Sequence, residues 1–150
     1  MKLKFFLLFL FFLFLTFVCA QQTDIDSIIT HLQFLGYTCE HKTNKIVITH
    51  QTKLSFDIVK YKGGLLVKSW FSKNTKSKQD INSFLHTLNT LNANSTVCRF
   101  YINEKKDLSI EAYYPLPYTK QSFSAFLEMW QNDFETILKQ NYKELSKHIE

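Results

Sequence analysis

The chain has 150 residues, 45% of them hydrophobic and 16% aromatic, with 18 Lys and Arg against 13 Asp and Glu and a formal charge of +5. That length leaves room for one domain with its own core, and the lack of a Pro/Gly/Ser linker or an internal repeat excludes a second. Gly36, Gly63 and Gly64 are its three glycines, a pattern that excludes a glycine-rich phosphate loop.

The N-terminus reads MKLKFFLLFLFFLFLTFVCAQQ. Lys2 and Lys4 precede an uncharged run from Phe5 to Val18, and Ala20 supplies a small residue at its end, the layout of a secretory signal peptide. The run is roughly 14 residues, short of the ~20 that a membrane-crossing helix needs. Phe17 and Val18 are too bulky for a lipidation box ending at Cys19. The expectation is therefore a signal peptide over residues 1–20, a cut between Ala20 and Gln21, and one exported domain over residues 21–150, periplasmic or secreted. Loss of Lys2 and Lys4 lowers the formal charge from +5 to +3. The membrane then matters only through that transient leader.

Three stretches carry helical periodicity. The first has Thr23 as N-cap with Asp26 three residues on, places Ile25, Ile28, Ile29, Leu32 and Leu35 on one stripe, and stops at Gly36. The second uses Ser77 as cap with Asp80 at the third position, followed by Ile81, Phe84, Leu85, Leu88 and Leu91. The third is capped by Thr119 and shows Phe123, Phe126, Leu127, Trp130, Phe134, Ile137 and Leu138.

Between the first two helices, Ile46 and Ile48 open a β-branched run, Leu54, Phe56 and Ile58 alternate with polar residues, and KGGLLVKSWF follows with Gly63-Gly64 as a two-residue primed turn. After the second helix, Cys98, Phe100 and Ile102 alternate on one strand and Leu108, Ile110 and Ala112 on the next. Pairing Phe100 with Ile110 keeps both apolar sets on one side and puts Arg99 opposite Glu111 on the other, exposed side, with Glu104 to Lys106 as the loop. Pro115 and Pro117 end regular pairing before Thr119. The order α-β-β-β-α-β-β-α predicts an α+β domain with a mainly antiparallel sheet of about five strands and three helices.

No catalytic constellation emerges. The histidines at 31, 41, 50, 86 and 148 have no paired metal spacing, and His41 with His50, on adjacent strands, read as surface residues. No serine sits in a nucleophile elbow. Glu104, Asp107 and Glu111 read as solvated hairpin carboxylates, so neither a metal nor another cofactor is implied. Cys39 and Cys98, left after cleavage, permit one disulfide in an exported protein, or serve as small buried hydrophobes. Asn94-Ser95-Thr96 is a glycosylation acceptor in a eukaryotic secretory pathway.

Lys60, Lys62, Lys68, Lys73, Lys76 and Lys78 cluster around Tyr61, Trp70 and Phe71. Basic and aromatic residues interleaved in this way suit nucleic acid, but export removes that partner. A stripe for anionic lipid, glycan or acidic protein remains, against a solvated sheet edge where lysines deter pairing. Tyr101, Tyr113 and Tyr118, which the alternation leaves pointing outward, form with Trp70 and Lys68 the candidate partner surface.

The segment INSFLHTLNTLNANSTVCRFYINEKKDLSIEAYYPLP, followed by FSAFLEMWQNDFETIL, resembles the YbjN family, a bacterial sensory-transduction-regulator-like domain that shares its fold with type III secretion chaperones. Leu88-Asn89 and Leu91-Asn92 match the helix end, Phe100 to Glu111 the hairpin, and Tyr114-Pro115-Leu116-Pro117 the proline exit. The resemblance implies a non-enzymatic module that engages a protein or peptide partner, with a homodimer as one form of that engagement. The rival expectations are a small exported enzyme using a cleft between sheet and helix, and a cell-envelope binder of anionic lipid or glycan.

Overall fold

The computed structural model describes residues 24–75 and 80–150. Helix α1 covers residues 24–34 and buries Ile25, Ile28, Ile29 and Leu32. Gly36 ends it with φ +87°, while its N–H donates to the Gln33 carbonyl and the Tyr37 N–H to the Leu32 carbonyl. This is the paired Schellman bonding that a left-handed glycine allows. Leu35, expected on the buried stripe, is exposed because the chain has already left the helix there. Thr23 lies outside the described residues, as does the N-terminal segment read as a leader.

Six strands follow the order β1-β2-β3-β4-β6-β5 in one antiparallel sheet. They are β1 (Thr38–His41), β2 (Ile46–Thr49), β3 (Phe56–Tyr61), β4 (Gly64–Phe71), β5 (Arg99–Ile102) and β6 (Leu108–Pro115). The strand missing from the sequence reading is β1, whose four residues show no apolar alternation and are mostly exposed. The expected 100–110 and 99–111 pairings are both present.

The β3–β4 turn uses Lys62 and Gly63, at φ 45° and 77°, rather than Gly63-Gly64. Both positions need positive φ in a type I′ turn, and only one of them is glycine here. Gly64 is instead the first residue of β4, and close packing fixes its identity. A Cβ there would lie 2.5 Å from the Tyr113 hydroxyl and 2.6 Å from the Tyr114 carbonyl oxygen.

Helix α2 (Ile81–Asn94) starts one turn later than the cap assigned to Ser77, which lies outside the described residues. Asp80 is its N-cap, accepting from the N–H groups of Asn82 and Ser83 at 3.0 and 3.3 Å. Helix α3 (Lys120–Asn132) is capped by Thr119 as expected. It continues into a π-helical segment, Asp133–Leu138, and then α4 (Tyr142–Leu145). Among the described residues the helix count is therefore four rather than three.

The fully buried Asp133 at the start of the π segment accepts from the N–H groups of Thr96, Val97 and Cys98 at 2.8–2.9 Å. That carboxylate satisfies three backbone donors of the α2–β5 loop, any of which would be costly to bury alone.

The core lies between the helices and one sheet face. Ile48, Phe56, Leu65, Phe100, Leu108 and Ile110 pack there against Leu32, Phe84, Leu91, Phe123 and Trp130. Among the described residues the thiols of Cys39 and Cys98 are free: Cys39 lies on β1 at one edge of the sheet, and Cys98 immediately precedes β5 at the other. Five interstrand steps of about 4.8 Å separate those edges, far beyond the ~7 Å Cα limit for a bridge. Burial raises the pKa of both thiols, most strongly that of Cys98. Among the described residues no helix is long and apolar enough to cross a membrane.

Candidate functional site: the open face of the sheet

With the helices on one side, the strand residues of opposite parity form a second, open face. Glu40, Val47, Asp57, Lys68, Glu111 and Arg99 stand in register across all six strands. Acid and base alternate over the last four positions of this row. Asp57 and Glu111 are buried at 7% and 5% exposure although no helix covers them. Both carboxylates are instead engaged by the charged ends of long neighbouring side chains, Lys45 on Asp57 and Lys68 with Arg99 on Glu111.

Glu111 is the centre of this arrangement. Its Oε1 accepts from the Tyr101 hydroxyl at 2.6 Å and from Lys68 Nζ at 2.9 Å, and its Oε2 from Arg99 Nη2 at 2.6 Å. Burial by itself pushes the Glu111 pKa up, but the three donors outweigh it and hold the carboxyl below its ordinary value. The hydrogen bond to Glu111 in turn raises Lys68, and burial followed by that same carboxylate raises Tyr101. Arg99 and Glu111 thus pair as the alternation predicts, but on a carboxylate that is buried, not solvated. Lys45, just before β2, places its Nζ 2.6 Å from Asp57 Oδ2 on β3 and 5.5 Å from the centre of the Trp70 ring on β4.

Aromatic residues flank the charged row on both sides. Trp70 and Tyr101 stand on either side of Ser109 in the next row. Val59, Leu66 and Tyr113 form the row beyond the charges on the other side. Trp70 is 53% exposed, Tyr113 45% and Tyr61 43%.

A groove of about 560 Å³ lies beside Trp70 and Tyr101 and is completed by the β5–β6 turn through Asn103, Lys105 and Asp107. That turn is held by the Asn103 side chain, whose Oδ1 accepts from the N–H groups of Lys105 and Asp107 at 2.9 and 3.0 Å. Asp107 Oδ1 accepts from the Lys73 N–H at 3.1 Å. The groove wall is therefore preformed, aromatic where Trp70 and Tyr101 stand and mixed in charge at the turn, where Glu104 and Asp107 accompany Lys105.

Of the five candidate surface residues, four share this face: Lys68, Trp70, Tyr101 and Tyr113. Tyr113 also serves the β3–β4 turn, donating its hydroxyl to the Lys62 carbonyl at 3.2 Å. Tyr118 belongs elsewhere, in the seam between α1 and α3. Its ring packs on Phe123 at 5.9 Å, and its hydroxyl lies 3.1 Å from His31 Nδ1. The proline exit bends the chain off the sheet before residue 118, so the outward parity of the strand no longer applies to it.

The lysine cluster is likewise divided. Lys68 is spent on Glu111, while Lys62 and Lys73 lie at opposite ends of β4, about 30 Å apart along the strand. Lys76 and Lys78 lie outside the described residues. No continuous basic stripe forms from the described members.

A second groove, about 570 Å³, runs between α1 and the start of α3, lined by His31, Phe34, Tyr118 and Lys120. His31 is its one buried titratable group, with Ser124 Oγ 3.4 Å from Nε2. Burial and then the Lys120 charge lower the His31 pKa. Its Nδ1 faces the Tyr118 hydroxyl and its Nε2 the exposed Ser124 hydroxyl, so no carboxylate backs the imidazole as in a hydrolase triad. His50, the other histidine singled out with His41, accepts the Thr52 and Lys53 N–H groups at Nδ1 and so holds its own loop.

Sequence reasoning missed the burial of Asp57 and Glu111 and the role of Asn92. The Asn92 amide donates to the Phe100 carbonyl and accepts from the Phe100 N–H at 2.9 and 2.8 Å. It closes the β5 edge as a backbone group of a seventh strand would. The paired Leu-Asn repeat at the end of α2 was the visible trace of it.

No protein-family description and none of the curated proteins matches this sequence. Among solved structures, the fold is that of YbjN from E. coli, a proposed transcription regulator. The superposition gives a TM-score of 0.67 at 10% identity and covers 84% of this chain and 95% of that one. The chain therefore has a YbjN-like α+β fold, in agreement with the resemblance carried by residues 81–138.

Proposed function

We propose that this chain is an exported, non-catalytic binding module of YbjN-like fold, which engages a protein or peptide partner through the open face of its sheet. One observation carries the reading: an uncovered face on which Asp57 and Glu111 are already paired, with Trp70 exposed beside the half-buried Tyr101 at a preformed groove and Tyr113 exposed on the other side of the charged row. Exposed aromatics on a rigid frame lose little side-chain entropy on docking and are the residues enriched at interface centres. The leader-like N-terminus supports export, which sets aside nucleic acid as the partner despite the description of YbjN as a regulator.

Affinity capture and cross-linking with the exported protein tests this. The expected result is a protein partner, or a second copy of the chain, that is lost on Trp70→Ala with Tyr101→Ala while the fold is retained. Recovery of no protein partner, together with a monomer at every accessible concentration, contradicts it. Activity against small substrates that survives the double substitution would favour an enzyme instead.

A further inference from the structure

The C-terminal residues clasp the strand that continues β4. Ile149 bridges antiparallel to Lys73, the Asn74 N–H donates to the His148 carbonyl at 2.8 Å, and the Glu150 N–H donates to the Ser72 carbonyl at 2.9 Å. Glu150 Oε1 accepts from both the N–H and the hydroxyl of Thr75 at 2.9 Å.

Beneath this clasp the His148 ring is 3% exposed and stacks on Phe84 of α2, with centroids 4.7 Å apart and planes 9° from parallel. Neither Nδ1 nor Nε2 has a hydrogen-bond partner. Among the described residues these are the buried side-chain nitrogens and oxygens left in that state. An unpaired buried polar group costs about 1–3 kcal/mol, and a phenylalanine would make the same stack without that cost. What histidine adds at this position is a proton that can come and go near neutral pH.

The closed clasp has no place for that proton. Imidazolium would bury two N–H donors and a charge without an acceptor. Of the charged groups around it, Asp80 and Glu144 favour the cation and Lys147 opposes it. The Asp80 carboxylate, however, is engaged by the Asn82 and Ser83 N–H groups at the start of α2, and Glu144 by Lys147 at 2.5 Å. We propose that the segment from Leu145 to Glu150 is an acid-released clasp, opened when His148 takes up a proton, which uncovers Phe84 and the strand edge of Ser72–Thr75.

The direction of the pKa agrees with the geometry: burial first, then Lys147, hold His148 below its ordinary 6.5. The open form protonates near 6.5 and the closed form only at lower pH. The closed form therefore has its full advantage above about pH 6.5 and loses roughly tenfold in the closed-to-open ratio per pH unit below it, until the closed-state pKa is reached.

Amide hydrogen exchange of the full-length protein, expressed as protection factors between pH 7.5 and 4.5, tests the clasp. Asn74 and Glu150 should lose about tenfold in protection per pH unit below 6.5 while β4 and β6 amides keep theirs, and His148→Phe should abolish the loss. Glu150→Gln, which keeps the acceptor for Thr75, should leave the acid response as in the parent. Constant protection of Asn74 and Glu150 down to pH 4.5, or an acid response removed by Glu150→Gln, overturns the proposal. If His148→Phe does not fold, the imidazole titration of the parent followed by NMR decides the matter. A closed-state His148 pKa at or above 6.5 contradicts the clasp, and one well below it with loss of the Asn74 amide signal in step supports it.

Discussion

The two faces of the sheet solve burial in different ways. On the helix side, Ile48, Phe56, Leu65 and Ile110 are buried by other apolar groups, so the free energy follows area and volume, and polarity is excluded. On the open side, Asp57 and Glu111 are also buried, though less deeply, and Lys45, Lys68, Arg99 and Tyr101 satisfy them with charges and a hydroxyl. The open face therefore exposes few unpaired acids. It presents aromatic rings among partly spent cations, a surface that keeps its shape without a covering layer and has more to gain from docking than from solvation.

The difference can be tested by substitution on each side. Trp130→Ala, which empties a ring site on the helix side, is expected to cost about 3–5 kcal/mol in denaturant unfolding. A loss below about 1 kcal/mol would mean that the helix layer is not the seat of stability. Glu111→Ala removes the acceptor of three donors, but Lys68 and Arg99 can return to water, so the expected cost is smaller, about 1–3 kcal/mol. A cost equal to that of Trp130→Ala would erase the distinction between the faces.

The pH dependence follows from the depressed Glu111 pKa. Its folded value lies below the ordinary 4.5, so its contribution is present above about pH 4.5 and is lost as pH falls through that value toward the folded pKa. Glu111→Gln should flatten the acid limb of the stability curve below about pH 4.5, and an unchanged limb would show that the carboxyl titrates normally. The smallest expected stability effect is that of Trp70→Ala, within about 1 kcal/mol for a residue 53% exposed. The same change should abolish partner capture, and a large stability loss would make Trp70 a structural residue.

Much of the fold was legible because alternation and capping are local. The β5–β6 register followed from Phe100, Ile102, Leu108 and Ile110 alone, and the α3 start from Thr119. What was not legible is what strand order creates. Parity places Glu111 outward, and only the non-local pairing of β4 with β6 brings Lys68 beside it and turns an outward carboxylate into a buried one. The same order puts Cys39 and Cys98 at opposite edges, which their spacing in the sequence could not show. Strand β1 escaped notice because an edge strand of four mostly exposed residues carries no apolar period. Tyr118 was misplaced because the parity of a strand was carried past its proline end.

The central claim is that the partner sits on the open face, and photo-cross-linking from opposite sides of the molecule tests it most directly. A benzophenone side chain placed at Leu66, opposite Tyr113 in the row next to the charges, is compared with one at Tyr142, which is 67% exposed on α4. Adducts to a protein or to a second copy from position 66 and none from position 142 are the predicted result. Adducts from position 142 with none from position 66 would place the partner on the helices and contradict the account.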